Sequence, residues 1–344
     1  MFPFSLYFAK IKSMAEISVC IPFYNAHDFI PKIHKMFLDQ SDGDFECVFV
    51  DDGSNDSSYE ACLEIAQNDN RFKIIRHEKN MGIGQGRITA LANATSTYVT
   101  FMDADDSIDW DTIETIRKNI TLAPNADLFI YDYDVMDQKG NIFHVVNKYE
   151  NLNDHFKSSS NFVSRLWHKV FRKSIFEKFD ISFIKNISFA EDLYICINFF
   201  LLSSSVVFVP KKYYTYCYNS NSLVRNRNGK TIYENIEVLK NLLLNPLLKN
   251  NEAIQDYIKK DAFNCFGMLI YPNIMNEFQR SSPHFIEWLE IDDIFHLDIP
   301  AKTSFFCKFY IKQIRRHHFM LAFLLWRCLR FKKNLKFIIK KQSV

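Results

Sequence analysis

With 344 residues, 48% of them hydrophobic and 24% charged, the chain carries enough apolar side chains to bury a full core, which excludes a disordered protein. Its 8 cysteines include no C-x-x-C pair and lie mostly inside apolar runs, the placement of buried free thiols in a reducing compartment. The net charge of +2 conceals an asymmetry: residues 301–344 hold twelve Lys or Arg and no Asp or Glu, while the 300 residues before them hold 30 basic and 40 acidic side chains.

Residues 1–15 open with apolar side chains, but their lysines follow that stretch, the wrong order for a secretory signal, so they read as an extension of a cytoplasmic protein. Residues 17–21 form a continuous apolar run closed by Pro22, and residues 47–50 form another, closed by Asp51-Asp52-Gly53-Ser54. Both predict buried strands feeding loops. Between them Phe29, Ile30, Ile33 and Phe37 recur at helical intervals across residues 28–38, and residues 59–66 repeat the pattern. Strands are expected at 72–75 and 98–102, with a helix over 87–93 between them. This alternation predicts an α/β domain with a mostly parallel sheet, whose ligands bind beyond the carboxyl ends of the strands. Residues 127–133 and 206–209 predict further strands, residues 151–161 a polar, Ser-rich loop, and residues 213–222 a strand and loop with alternating aromatics. From Tyr233 helical spacing continues to Leu244 and again through residues 254–266, with no internal repeat.

Four motifs sit where such a domain does its chemistry. In Val50-Asp51-Asp52-Gly53-Ser54 a carboxylate at a strand end can accept from a base N–H or a ribose hydroxyl, and Gly53 permits a tight turn; an ordinary acidic turn before a helix reads the same way. Phe101-Met102-Asp103-Ala104-Asp105-Asp106-Ser107 places three carboxylates within four residues after an apolar strand. They repel one another unless a cation neutralises them, and Mg²⁺ or Mn²⁺ binds through one or two carboxylates together with substrate phosphates. Glu191 and Asp192 precede an apolar helix reaching Phe200, where they serve either chemistry or the helix dipole. Arg165-Leu166-Trp167-His168-Lys169-Val170-Phe171 is equally an amphipathic segment with Trp in the core or a functional one. The run Gly82-Ile83-Gly84-Gln85-Gly86-Arg87 follows the third strand and lacks G-x-G-x-x-G spacing, so it is not a dinucleotide fingerprint; a helix N-terminus with Arg87 is still a place for phosphate oxygens.

Taken in order, these pieces resemble the family 2 glycosyltransferases of the GT-A fold over roughly residues 16 to 225. The opening Ile17-Ser18-Val19-Cys20-Ile21-Pro22-Phe23-Tyr24-Asn25, the acidic turn at Asp51 and Asp52, Asn80-Met81-Gly82 with Arg87, the D-x-D element Asp103-Ala104-Asp105, Trp167-His168-Lys169, and Glu191-Asp192 follow the family's sequence of motifs. The resemblance implies that Pro22, Tyr24, Asp52 and Arg87 line the site of a UDP-sugar donor. It implies that Asp103 approaches the ribose or metal-bound diphosphate, that Asp103 and Asp105 hold Mn²⁺ or Mg²⁺, and that Asp192 is the catalytic base with Glu191 its acidic neighbour. Trp167, His168 and Lys169 would meet the acceptor. Two departures stand out: the family's A-R-N is Gly86-Arg87-Ile88 here, and its W-N-K is Trp167-His168-Lys169.

The expected organisation is an extension at 1–15, a nucleotide-sugar half at 16–110, an acceptor half at 111–225, and a helical region at 226–344 ending in the basic tail. The expected activity is inverting transfer of a hexose or N-acetylhexosamine to a glycan or lipid-linked acceptor in bacterial surface-polysaccharide synthesis. A non-catalytic sugar-nucleotide-binding scaffold is the competing class. A haloacid-dehalogenase-type phosphatase would carry its D-x-D on the first strand, whereas this one follows about the fourth. In the tail, the apolar stretch 319–326 falls far short of the roughly 20 residues a spanning helix needs. Flanked by Arg315, Arg316, Arg327, Arg330, Lys332 and Lys333, it fits a helix lying on an anionic membrane surface, the inner face of the cell membrane. No nucleic-acid module accompanies it, so nucleic acid is not an expected partner.

Overall fold

A computed structural model describes residues 15–146, 156, 164–184, 187, 189–219 and 229–258. The expectations placed on residues 1–14, 151–155, 157–161, Ser220 to Arg225 and 259–344, the basic tail included, lie outside the described residues.

Strands β1 (Ile17–Phe23), β2 (Glu46–Asp51), β3 (Phe72–Arg76) and β4 (Tyr98–Phe101) alternate with helices α1 (Ile30–Leu38), α2 (Ser58–Asn68) and α3 (Ile83–Asn93). Within each strand successive side chains go to opposite faces, and in β1, β2 and β4 both faces are covered, which is why those runs are mostly apolar instead of alternating; β3, at the sheet edge, leaves Lys73 and Arg76 exposed. In β1, Ile17, Val19 and Ile21 enter one core and Cys20 the other; in β2, Cys47 and Phe49 part in the same way from Val48 and Val50. Helix α1 buries Ile30, Ile33 and Phe37 along one stripe, and Pro31 stands in its first turn, where no intrahelical N–H is required.

After β4 come β5 (Ser107–Ile108), α4 (Thr112–Leu122), β6 (Leu128–Met136), β7 (Ile142–Val145), β8 (Lys169–Arg172), α5 (Lys173–Lys178), α6 (Glu191–Leu202), β9 (Val206–Cys217) and α7 (Gly229–Leu243). One nine-stranded sheet orders these as β3-β2-β1-β4-β8-β6-β9-β5, with β7 on β6. Pairings among β3, β2, β1 and β4 are all parallel, as the alternation predicts. Beyond β4 the sheet is mixed: β8 runs antiparallel to both β4 and β6, while β9 is parallel to β6. Strand β8 is four residues, Lys-Val-Phe-Arg, too short and too charged to announce itself by periodicity. The stretches 206–209 and 213–217 are one strand. Pro210 has no N–H for the ladder, and the register to β6 jumps from Tyr131↔Val209 to Asp132↔Lys212, a bulge that accommodates it.

Helices α6 and α7 cover one face through Ile195, Phe199, Val238, Leu239 and Leu242, and α1 and α4 cover the other. Among the described residues, no helix is long and apolar enough to cross a membrane.

Gly53 follows β2 with φ +74°, and a Cβ there would lie 2.6 Å from the carbonyl carbon of Lys79. Only glycine suits that combination of left-handed backbone and close approach. Gly53→Ala is expected to lower stability by about 2 kcal/mol or more. Chemical denaturation of the two proteins checks this, and equal midpoints would show that the turn relaxes freely.

Candidate active site

The parallel strands bring their carboxyl ends, and the loops after them, to one side of the sheet. Asp52 follows β2, and Asp103 lies two residues past β4. Helix α3 lies close against the end of β1: a Cβ on Gly86 would sit 2.8 Å from the Pro22 side chain. That approach seats Arg87, in the second turn of α3, beneath the loop after β4.

Arg87 is buried and bridges two carboxylates from different elements. One terminal nitrogen donates to Asp103 Oδ1 at 2.8 Å, and the other donates to Glu191, the first residue of α6. Burial alone would lower the guanidinium, but the charges of Asp103, Glu191 and Asp192 outweigh it and raise it above its usual value. Burial pushes Glu191 up to about 8 against the pull of Arg87, with Asp192 and Asp103 adding to the rise. Both shifts are upward: neighbouring carboxylates favour the charged form of Arg87, while burial of the Glu191 carboxyl outweighs the pull of the guanidinium it shares with Asp103.

The three aspartates after β4 divide their tasks. Asp103 is partly exposed and takes the Arg87 contact. Asp105 accepts from the Asn219 side chain at 2.7 Å, and burial, with Asp103 in the same direction, raises it. Asp106 is buried and accepts from the Tyr214 hydroxyl at 2.6 Å and from the Cys217 N–H at 2.7 Å, so it pins the loop to β9. Among the described residues no group of three His, Cys, Asp or Glu could hold a metal ion on protein ligands alone. Asp103 and Asp105 fit the smaller set, one or two carboxylates, that Mg²⁺ or Mn²⁺ uses when substrate phosphates complete its shell. Burial, and to a lesser degree the neighbouring Asp103, raise Asp105, and a bound cation would offset both.

Asp192 lies in the first turn of α6, after Ala190, whose φ of +62° is left-handed and rare for alanine. Its Oδ1 accepts from the Leu193 N–H at 2.8 Å, and its Oδ2 is 3.5 Å from Arg165. Through Arg87 and Glu191 it shares one locus with Asp103.

The other residues expected in the site occupy varied surroundings. Asp52 is buried, accepts from the N–H groups of Met81 and Gly82 at 2.9 and 2.8 Å, and meets His77 Nδ1 at 2.7 Å; the far ring nitrogen of His77 is 2.9 Å from the Thr89 hydroxyl. Asp52 thus holds the start of α3 in place. Pro22 is buried, whereas Tyr24 is 43% exposed and its hydroxyl accepts from the Asn55 side chain at 3.3 Å. The direct acceptor contact expected of Trp167, His168 and Lys169 does not fit their burial: they are 4%, 0% and 0% exposed. Trp167 stacks on Tyr214 and Tyr216 with ring centroids 4.8 and 5.7 Å apart, and Tyr133 meets it edge-on. Burial lowers Lys169 to about 8. Two residues that sequence reasoning left without a role reach the site, Arg165 and Asn219. Arg165 heads the same run as Trp167, but nothing in spacing separates the one partly exposed member of that run from its buried ones.

Residues 18–180 match the model described as Glycosyl transferase family 2. These residues are a family 2 glycosyltransferase domain. The chain is 30% identical to glycosyltransferase GlyA of Streptococcus pneumoniae over 65% of its own length, and it spans about a third of GlyA, 34%. It is 36% identical to the putative teichuronic acid biosynthesis glycosyltransferase TuaG of Bacillus subtilis over 36% of its length and 49% of TuaG. The crystal structure of S. aureus TarS residues 1–349 superposes with a TM-score of 0.66 at 18% identity, covering 92% of each chain, and the shared architecture is the GT-A fold. The matched segment stops short of Glu191 and Asp192, so it is the fold that unites them with the D-x-D loop.

Removing the bridge strands two carboxylates in a largely buried setting, so Arg87→Gln is expected to lower stability by about 3 kcal/mol or more. Arg87→Lys should recover only part of this, since one ammonium cannot span both partners with a planar fork. Urea denaturation of the three proteins measures it; a Lys variant as stable as the parent would show that charge alone suffices.

Proposed function

We propose that the chain is an inverting glycosyltransferase that moves a hexose or N-acetylhexosamine from a UDP-sugar to a hydroxyl of a glycan or lipid-linked acceptor in bacterial surface-polysaccharide synthesis. The observation that carries this reading is the Arg87 bridge, which joins the D-x-D loop at Asp103 to Glu191 and so to Asp192. TarS, which shares the fold, has been solved with UDP and with UDP-GlcNAc, and TuaG is named for teichuronic acid biosynthesis.

Asp192 acts as general base on the acceptor. Its carboxylate takes the proton of the hydroxyl as that oxygen bonds to the anomeric carbon, and the bond from that carbon to the diphosphate breaks, the nucleotide leaving with the electron pair. Attack from the side opposite the leaving group inverts the anomeric centre. Arg87 keeps Asp103 and the start of α6 at a fixed distance, so the donor and the base meet in one geometry, which converts binding into orientation. Pro22, near the end of β1, Tyr24, just after it, and the loop held by Asp52 form the base and ribose side of the donor site. A divalent cation on Asp103 and Asp105 would supply neutralisation of the charge that grows on the departing phosphates.

UDP release from a panel of UDP-sugars, with and without Mn²⁺, tests the reading. Asp192→Asn is expected to cut turnover by about a hundredfold or more while donor binding persists. Asp105→Ala is expected to weaken donor affinity and the response to Mn²⁺. Turnover by the Asn variant at the parent rate would remove Asp192 from the role of base.

We also place the enzyme at the inner face of the cell membrane, held by residues 301–344, whose twelve basic side chains lack any acidic neighbour within the segment. The protein should sediment with anionic vesicles at low salt and be released as ionic strength rises; equal sedimentation with zwitterionic vesicles would argue against it.

A further inference from the structure

The run 164–169 lies directly beneath Asp192, and its backbone is tied to the helix that carries that residue. Cys196, in the second turn of α6, donates from Sγ to the carbonyls of Ser164 at 3.4 Å and Arg165 at 3.7 Å. Burial pushes the Cys196 thiol up to about 12, so it remains a donor. The Arg165 carbonyl accepts a second bond, from the ammonium of Lys169, which also meets His168 Nε2 at 3.2 Å and sits 5.9 Å from the centre of the Phe200 ring. Lys169 is fully buried, and its charge faces inward.

Arg165 points the other way. Its side chain is 27% exposed and reaches Asp192 Oδ2 at 3.5 Å, its one ion pair among the described residues. The opposite oxygen of Asp192 is taken by the Leu193 N–H, so the carboxylate is held from both sides. Arg87 cannot serve this purpose, because both its terminal nitrogens are committed to Asp103 and Glu191. The contact at Oδ2 is long, and an ionised carboxylate oxygen has more than one lone pair, so Oδ2 keeps the capacity to accept from a hydroxyl while Arg165 orients it.

We propose that Arg165 is the positioning residue of the base: it sets Asp192 toward the acceptor hydroxyl, and Lys169 with Cys196 sets Arg165. The proposal rests on the glycosyltransferase reading above and assigns the buried Trp167-His168-Lys169 run a task beneath the site instead of in it.

Hydrolysis of the UDP-sugar by water supplies a readout that needs no knowledge of the acceptor, since water takes the place of the hydroxyl that Asp192 deprotonates. For the UDP-sugar that the parent hydrolyses fastest, Arg165→Gln is expected to lower kcat by about tenfold to a hundredfold while the donor KM stays within about twofold. Arg165→Lys should restore part of kcat. In an Asp192→Asn background, Arg165→Gln should cost less than twofold more, because a residue that acts through the base has nothing left to position. Lys169→Met should show the same split between kcat and KM in smaller degree; where that variant does not fold, the Arg165 pair decides. The proposal is overturned by Arg165→Gln with kcat within twofold of the parent, by a donor KM that rises as much as kcat falls, or by losses that multiply with Asp192→Asn. A parent that releases UDP from no donor sinks the glycosyltransferase reading and this proposal together, whereas an active parent with an unimpaired Arg165→Gln sinks this proposal alone.

Discussion

Arg87 is the constraint on which the site depends. A guanidinium with little exposure to water is tolerable only where carboxylates surround it, and here they come from two places far apart in sequence, Asp103 after β4 and Glu191 at the head of α6. The ion pair therefore measures the gap between the end of the parallel sheet and the helix that closes the second half. It also limits how close the acidic groups approach, since each carboxylate is held by its own nitrogen of one planar fork. The bare helix packing of α3 on β1 at Gly86 and Pro22 is what lets the fork reach both.

Around that bridge the aspartates of one short motif behave as three different chemical groups. Asp103 is salt-bridged and partly exposed, Asp105 is hydrogen-bonded to Asn219 and raised, and Asp106 is buried against Tyr214 and the backbone of Cys217. The first two keep partial exposure, whereas Asp106 is buried. Asp106 spends both oxygens inside the protein and ties the loop to β9, so the pair in front of it is presented on a firm support.

The same division holds in the second half. Trp167, His168 and Lys169 form part of the floor, stacked on the tyrosines of β9 or turned inward, and Arg165 alone of that run extends to Asp192. A sheet covered on both faces leaves little room for charged side chains along its strands, so the carboxylates singled out in the sequence gather where strands end and helices begin. That is where Asp52, Asp103, Glu191 and Asp192 are found.

Much of this was legible in the order of residues. The apolar runs of β1, β2 and β4 imply buried strands and the spacing of Ile30, Ile33 and Phe37 implies a helix, and carboxylates crowded after a buried strand imply a cation or an anionic ligand. Family resemblance in the motifs from Ile17 to Asp192 pointed to the GT-A fold that the sheet displays. What the chain could not declare is direction and depth. Lys169 and Arg165 are both cations four residues apart, yet one is wholly buried and the other touches Asp192, a difference set by β8 pairing between β4 and β6. Likewise Asp103, Asp105 and Asp106 are alike in sequence and unlike in function because partners 87, 191, 214, 217 and 219 arrive only when the sheet closes. Local periodicity determines which residues form elements; burial and pairing, which are sums over distant contacts, determine what each charged group does.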